Sequence, residues 1–264
     1  MSRPQSLLEA VQEVAQVAGN VAARHFRTRL TVERKLDGSE VTIADREAER
    51  SAREWIEARF SEDGIVGEEL DAVREGAHRR WLLDPIDGTA TFVRGAPLWG
   101  TLVAVVEGDQ VLAGAAYFPV VQEVIAAAPG EGCWWNGARC MVSPVNNVAD
   151  ATVLTTDERF RARDPERRAG WLALAELAAV SRTWGDCFGY LMVATGRAEV
   201  MVDPVLSPWD SAVLLPIIEE AGGVFTDWDG ARTAFGGSAV ATNRGVAEEA
   251  RRLLRGAGNP QPSS

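Results

Sequence analysis

The run Trp81-Leu82-Leu83-Asp84-Pro85-Ile86-Asp87-Gly88-Thr89 constrains this chain more than any other segment. Three large apolar residues in succession describe a very apolar strand. It ends at a carboxylate followed by proline, which offers no N–H to a sheet ladder, so the strand is expected to break there. With the chain turning, Asp84 and Asp87 can converge, and the Ile86 carbonyl is freed as a further oxygen donor. Gly88 permits close backbone approach, and its N–H with that of Thr89 could hold an anionic oxygen. Oxygen-only donors suit Mg²⁺ or Mn²⁺ rather than zinc. Without a cation, two carboxylates about 4 Å apart repel by about 4 kcal/mol at an effective dielectric near 20. Asp-Gly alone is more often a turn; here the whole segment, partnered by Gly67-Glu68-Glu69, favours a metal site.

Other acids stand at element ends. Residues 7–26 carry apolar side chains at helical spacing and predict a first helix, followed by a polar loop or short hairpin over 35–42. A second helix is expected from Asp45 to about Phe60, which puts the Asp45 carboxylate among the exposed N–H groups of a helix start. Glu68 and Glu69 follow a short strand at Ile65-Val66. Residues 101–106 and 111–118 flank Glu107-Gly108-Asp109-Gln110, a hairpin signal, and strands over 124–128 and up to Arg139 extend the sheet. Beyond Asp150, strands (152–155, 198–202, 223–227, 239–242) alternate with helices (165–179, 187–195, 209–221, 246–254). Asp210 opens one of these helices. An antiparallel-rich half over about 1–150 and an alternating half over about 151–255 predict one domain of layered α and β elements. The tail from 256 to 264, rich in Gly, Pro and Ser, is expected to be disordered.

Composition excludes several classes. The chain has 264 residues, 46% of them hydrophobic, enough for a substantial core. Its 38 acidic against 27 basic residues leave a formal charge of -11, and no long basic run offsets it. Nucleic acid and anionic membranes are therefore disfavoured partners, and a small anionic substrate would need a cation to approach. No apolar stretch is long enough to span a membrane. Three cysteines in no zinc or redox pattern, and no secretory-type start, suggest a reducing cytoplasm. Two histidines, His25 and His78, read as ordinary surface or helix-end residues.

These motifs resemble the inositol monophosphatase superfamily. The resemblance rests on residues 84–89 with Phe92, on Trp209-Asp210 through Ala221-Gly222-Gly223, on Gly67-Glu68-Glu69 and on Val41-Thr42-Ile43-Ala44-Asp45, in the family's order. It implies an alternating α-β-α-β-α sandwich and hydrolysis of a phosphate monoester assisted by two or three Mg²⁺ ions, commonly in a homodimer. Carried over by residue, Glu68, Asp84 and the Ile86 carbonyl would hold one ion, and Asp84, Asp87 and Asp210 a second. Glu68 would serve a third through water. Thr89, hydrogen-bonded to Asp45, would orient and deprotonate the attacking water, and the Gly88 and Thr89 amides would bind phosphate beside Asp87 and Asp210. Paired cations lower the pKa of a bound water and stabilise entering and leaving oxygens alike. No Cys-x₅-Arg nucleophile pattern competes with this.

The run Arg182-Thr183-Trp184-Gly185-Asp186-Cys187 through Tyr190 resembles the histidinol-phosphate phosphatase branch. Histidinol phosphate carries an ammonium and an imidazole, so the extra carboxylates of Asp186 and Asp203 would favour it over a neutral polyol. Asp186 could equally cap the following helix. Arg182 reads either as an ion-pair partner or as a group near phosphate, Trp184 as packing and Cys187 as a small buried residue. The leading expectation is a histidinol-phosphate phosphatase. The alternatives are an inositol, fructose-bisphosphate or nucleotide phosphatase, and a non-catalytic protein on the same fold.

Overall fold

The computed structural model describes residues 6–36, 38–160 and 164–256. Beyond Gly256 the tail expected to be disordered lies outside the described residues, as does Asp37 of the polar loop. Helix α1 (Leu7–His25) starts from a capping box in which Ser6 and Glu9 exchange hydrogen bonds. A two-stranded ribbon, β1 (Glu33–Arg34) with β2 (Glu40–Val41), follows and is the short hairpin expected near there. Helix α2 (Ile43–Glu57) begins two residues before the expected Asp45, because Thr42 caps it and Asp45 closes a second capping box.

Strands β3 (Gly64–Gly67), β4 (Arg79–Asp87), β5 (Gly100–Glu107), β6 (Gln110–Phe118), β7 (Glu123–Ala128), β8 (Gly132–Trp135) and β9 (Ala138–Arg139) form a seven-stranded sheet in chain order. Only β3 and β4 pair in parallel. A short helix, α3 (Thr89–Val93), interrupts the series between β4 and β5. The second sheet contains β10 (Thr152–Thr155), β11 (Val180–Arg182), β12 (Val200–Asp203), β13 (Val224–Thr226) and β14 (Ala239–Thr242), ordered β11-β10-β12-β14-β13. Helices α4 (Pro165–Leu177), α5 (Asp186–Ala194), α6 (Pro208–Glu220) and α7 (Ala247–Arg255) lie between or after these strands. Strand β11 is a difference from expectation: Val180-Ser181-Arg182 has a single apolar residue, and pairing with β10 makes it a strand.

Period-two side-chain direction sorts the strands into layers. On β4, Trp81 and Leu83 pack towards α1 and α2, while Leu82 packs towards α5 and α6. On β12, Met201 faces the same central helices, and Val200 and Val202 face a third cluster with Trp171 of α4 and Leu254 of α7. The result is five layers, α1/α2, sheet, α5/α6, sheet, α4/α7, as the resemblance implies. Helix α6 is enclosed between sheets and buried all round, every residue from Asp210 to Ile218, with apolar side chains on all sides from Ala212 to Ile218.

One expectation about the key segment is corrected. Strand β4 does not break at Pro85 but continues to Asp87 across a bulge, pairing Asp84 with Leu102 and Asp87 with Gly100. Pro85 and Ile86 stand opposite Thr101 alone, so the missing proline N–H falls where the ladder is already interrupted. The Thr101 hydroxyl takes up the Pro85 carbonyl at 2.8 Å.

Candidate active site

The bulge aims Asp84 and Asp87 to one side of the sheet, and the start of α6 brings Asp210 to meet them. The three carboxylates offer oxygens that all lie within 4.8 Å of one another. Two are held locally: Asp84 Oδ1 accepts the Ile86 N–H at 2.9 Å, and Asp210 Oδ2 accepts the Ser207 N–H at 3.0 Å. Asp87 is held from far along the chain by the Cys187 N–H. Asp210 Oδ1 is buried with no donor.

Electrostatics mark the cluster as incomplete. Burial, then the charges of Glu68, Asp210 and Asp87, pushes Asp84 far above the ordinary carboxylate range. Burial, then Asp87 and Glu68, does the same to Asp210. Asp87 is raised to about 7, by burial first and by Asp186 next. Among the described residues no ion pair reaches these three acids. An orphaned buried oxygen, three crowded carboxylates and an all-oxygen donor set fit a hard divalent cation.

Glu68 follows β3 beside Asp84, and its Oε1 accepts from Lys35 Nζ at 2.6 Å. The same ammonium donates to Glu69 Oε1 at 2.6 Å. Burial alone would lower the pKa of Lys35, but its two glutamates raise it overall. Lys35 is thus a charged neighbour of the site to which the sequence alone assigned no role.

Asp45 and Thr89 meet as expected. The Thr89 hydroxyl lies 3.3 Å from Asp45 Oδ1 and 3.0 Å from the Ile86 carbonyl. Asp45 Oδ2 takes the Thr42 N–H at 2.8 Å and the Thr42 hydroxyl at 2.7 Å. Asp45 and Asp210 share one device: each is the third residue of its helix and reaches back to its N-cap amide, leaving the other oxygen for the site. Gly88 has φ +83°, and a Cβ there would come within 2.8 Å of Asp186 Oδ2. Both observations require glycine.

A cavity of about 430 Å³ opens beside the cluster, lined by Asp87, Asp210, Asp186, Asp203, Asp157 and Asp164 among others. Asp186 does not cap α5 through its side chain. It adopts φ +51°, its N–H donates to Thr156 Oγ1 at 2.8 Å, and its Oδ2 accepts from Thr91 Oγ1 at 3.1 Å. Asp203 accepts from the Tyr190 hydroxyl at 3.0 Å and is raised to about 8, chiefly by burial. Among the described residues the cavity has one cationic lining residue, Arg167, which already faces Asp164 at 3.2 Å and donates to the Pro204 carbonyl.

Arg182 is not among the residues lining the cavity. On edge strand β11 it donates to the Ser181 carbonyl and lies 6.0 Å over the Trp184 ring. No ion pair is among its described contacts. Trp184 is 40% exposed rather than packed inside. Cys187 is buried as expected. His25 ends α1 against Glu47, and His78 is an exposed neighbour of Glu107.

A profile of the inositol monophosphatase family matches residues 3–259. The chain belongs to that family. It is 40% identical over 255 residues to the histidinol-phosphatase of Chlorobaculum parvum, covering 96% of each chain. To the histidinol-phosphatase of Mycobacterium tuberculosis it is 36% identical over 219 residues, covering 81% of this chain and 84% of that one. The solved inositol monophosphatase of Zymomonas mobilis superimposes with a TM-score of 0.84 at 30% identity, covering 96% of this chain and 99% of that one. As an inositol monophosphatase family member the chain is a phosphomonoesterase, of a family generally dependent on Mg²⁺. Among the described residues no helix is long and apolar enough to cross a membrane.

Proposed function

We propose that this chain hydrolyses L-histidinol phosphate to L-histidinol and phosphate, with Mg²⁺ held by Asp84, Asp87, Asp210, Glu68 and the Ile86 carbonyl. The observation that carries the substrate is the cavity's charge. Among the described residues, four acidic side chains beyond the cluster line it and its single arginine is already engaged, so it suits a leaving group bearing an ammonium and an imidazole. The relatives named histidinol-phosphatase support the same reading.

Bound divalent cations would neutralise the clustered carboxylates, polarise the phosphate and acidify a water. The chain's own residues do the rest. The Gly88 and Thr89 amides, at the start of α3, receive phosphate oxygens where glycine leaves room. Thr89 Oγ1 orients the attacking water and accepts its proton while passing its own to Asp45 Oδ1. Burial raises the pKa of Asp45, which improves it as an acceptor. Asp186 and Asp203 face the leaving group. Comparison of kcat/KM for histidinol phosphate and inositol 1-phosphate in Mg²⁺ tests the assignment, and a higher value for the inositol ester would overturn it.

Homodimeric assembly and a cytoplasmic setting complete the reading. Three cysteines in no zinc or redox pattern support a reducing compartment. Sedimentation equilibrium tests the dimer, and a monomer at micromolar concentration would refute it.

A further inference from the structure

Glu49 stands one helical turn beyond Asp45 on α2 and is fully buried. No step proposed above uses it. A carboxylate without solvent is costly unless paired and hydrogen-bonded, so its partners are informative. Arg53, a further turn along, donates from Nε to Glu49 Oε1 at 2.8 Å. The rest of that guanidinium donates to the Leu70 and Asp71 carbonyls, each at 3.0 Å. Glu49 Oε2 accepts the Glu69 N–H at 2.8 Å. A Cβ on Gly67 would strike the Glu49 carboxylate, so the backbone lies directly against it. The segment 67–71 is thereby gripped at Gly67, Glu69, Leu70 and Asp71. Glu68, in the middle, has its own N–H on the Leu83 carbonyl at 3.1 Å, one residue before Asp84.

We propose that the buried Glu49–Arg53 pair is a positioning unit for Glu68, holding the segment 67–71 so that the Glu68 carboxylate faces the metal site. The inference rests on the metal-dependent reading above. Glu49 does not line the cavity and acts only through backbone. Because positions i and i+4 share a helix face, α2 serves the site twice, through Asp45 on Thr89 and through Glu49 on the backbone around Glu68. Groups that hold a metal ligand in place usually contribute about 10–100-fold in metal affinity.

The test is Mn²⁺ binding to the full chain, read by electron paramagnetic resonance of the free ion, alongside thermal unfolding in chelator. Wild type is compared with Glu49→Ala, Glu49→Gln and Arg53→Gln. Glu49→Ala and Arg53→Gln should weaken Mn²⁺ binding by roughly 10–100-fold. Glu49→Gln keeps an acceptor for the Glu69 N–H and should recover much of that loss. A variant that unfolds at lower temperature yet binds Mn²⁺ like wild type marks a merely structural pair and overturns the inference. Should Glu49→Ala not fold, Arg53→Gln, altered at the more accessible partner, decides by the same readout. Wild type that binds no Mn²⁺ would overturn the metal reading as well, whereas normal binding by the variants overturns this inference alone.

Discussion

The carboxylate cluster of the site and the cavity beside it are both acidic, but they are built by different means. Asp84, Asp45 and Asp210 are each held by a hydrogen bond to a residue two or three positions away. Their geometry is local, set by one bulge and two capping boxes. On the cavity side, Asp186 joins the start of α5 to Thr91 after β4 and to Thr156 after β10, and Asp203 reaches Tyr190 on α5. Those contacts span the central helix layer. Asp87 belongs to both sides, because its partner, the Cys187 N–H, lies 100 residues away. Asp84, Asp45 and Asp210 thus rest on short-range devices, and the cavity carboxylates on long-range ones.

The largest effect that would break this comparison is expected at Asp87. Asp87→Asn should lower kcat by about a thousandfold, as loss of about 4 kcal/mol of transition-state stabilisation would. The metal-free protein should meanwhile unfold at the same or a higher temperature, since one of several crowded buried charges is gone. Stopped assays with differential scanning calorimetry check both outcomes.

Metal removal comes next. In chelator, turnover should vanish and thermal stability should become pH-dependent in a definite sense. Asp87 at about 7 and Asp203 at about 8 sit above their unfolded values, so the native state holds their protons more tightly. Stability should therefore fall as pH rises from the ordinary carboxylate range through those values, and level off above them. Saturating Mg²⁺, at about 100 times its Kd, should restore about 2.7 kcal/mol. Unfolding midpoints from pH 4.5 to 9 (about the range those values span), with and without Mg²⁺, measure this. A midpoint that rises with pH in chelator would refute it.

A smaller, selective effect is expected on the cavity side. Asp186→Asn should reduce kcat/KM for histidinol phosphate by roughly 10–100-fold, the scale of one lost charge-assisted contact. Turnover of a neutral ester should change less, so the ratio of the two is the quantity to read. Smallest of all, Thr91→Val removes only the hydroxyl that holds Asp186 Oδ2. A loss of about 1 kcal/mol, some fivefold in KM with kcat retained, is expected for one neutral donor to a carboxylate. Equal losses on both substrates would blur the division between the two sides.

The same division separates what was legible in the sequence from what was not. Strands 152–155 and 239–242 match their expected bounds, because their pattern depends on one strand's own faces. The acids at helix starts were readable for a similar reason. By contrast, β11 exists through pairing with β10, and α3 is one turn long, too short to carry a periodic signal. Lys35 lay in a polar loop with nothing to link it to Glu68. Thr91 and Thr156 carry no local signature at all. Glu49, four residues after Asp45 and so on the same helix face, was the one signal that might have been followed.

By itself, then, the sequence determined the family, the layered architecture and the identity of the clustered acids, because these follow from periodicity, proline and glycine constraints, and neighbours a few residues apart. Only the tertiary structure decided that β4 bulges instead of breaking, that Asp186 turns to Thr91 instead of capping α5, and that Arg182 stays on an edge strand away from the cavity. It also decided that Glu49 grips the backbone around Glu68. Each of these depends on which distant groups become neighbours when the layers close, and a buried charge or unpaired donor must take whatever partner that closure supplies.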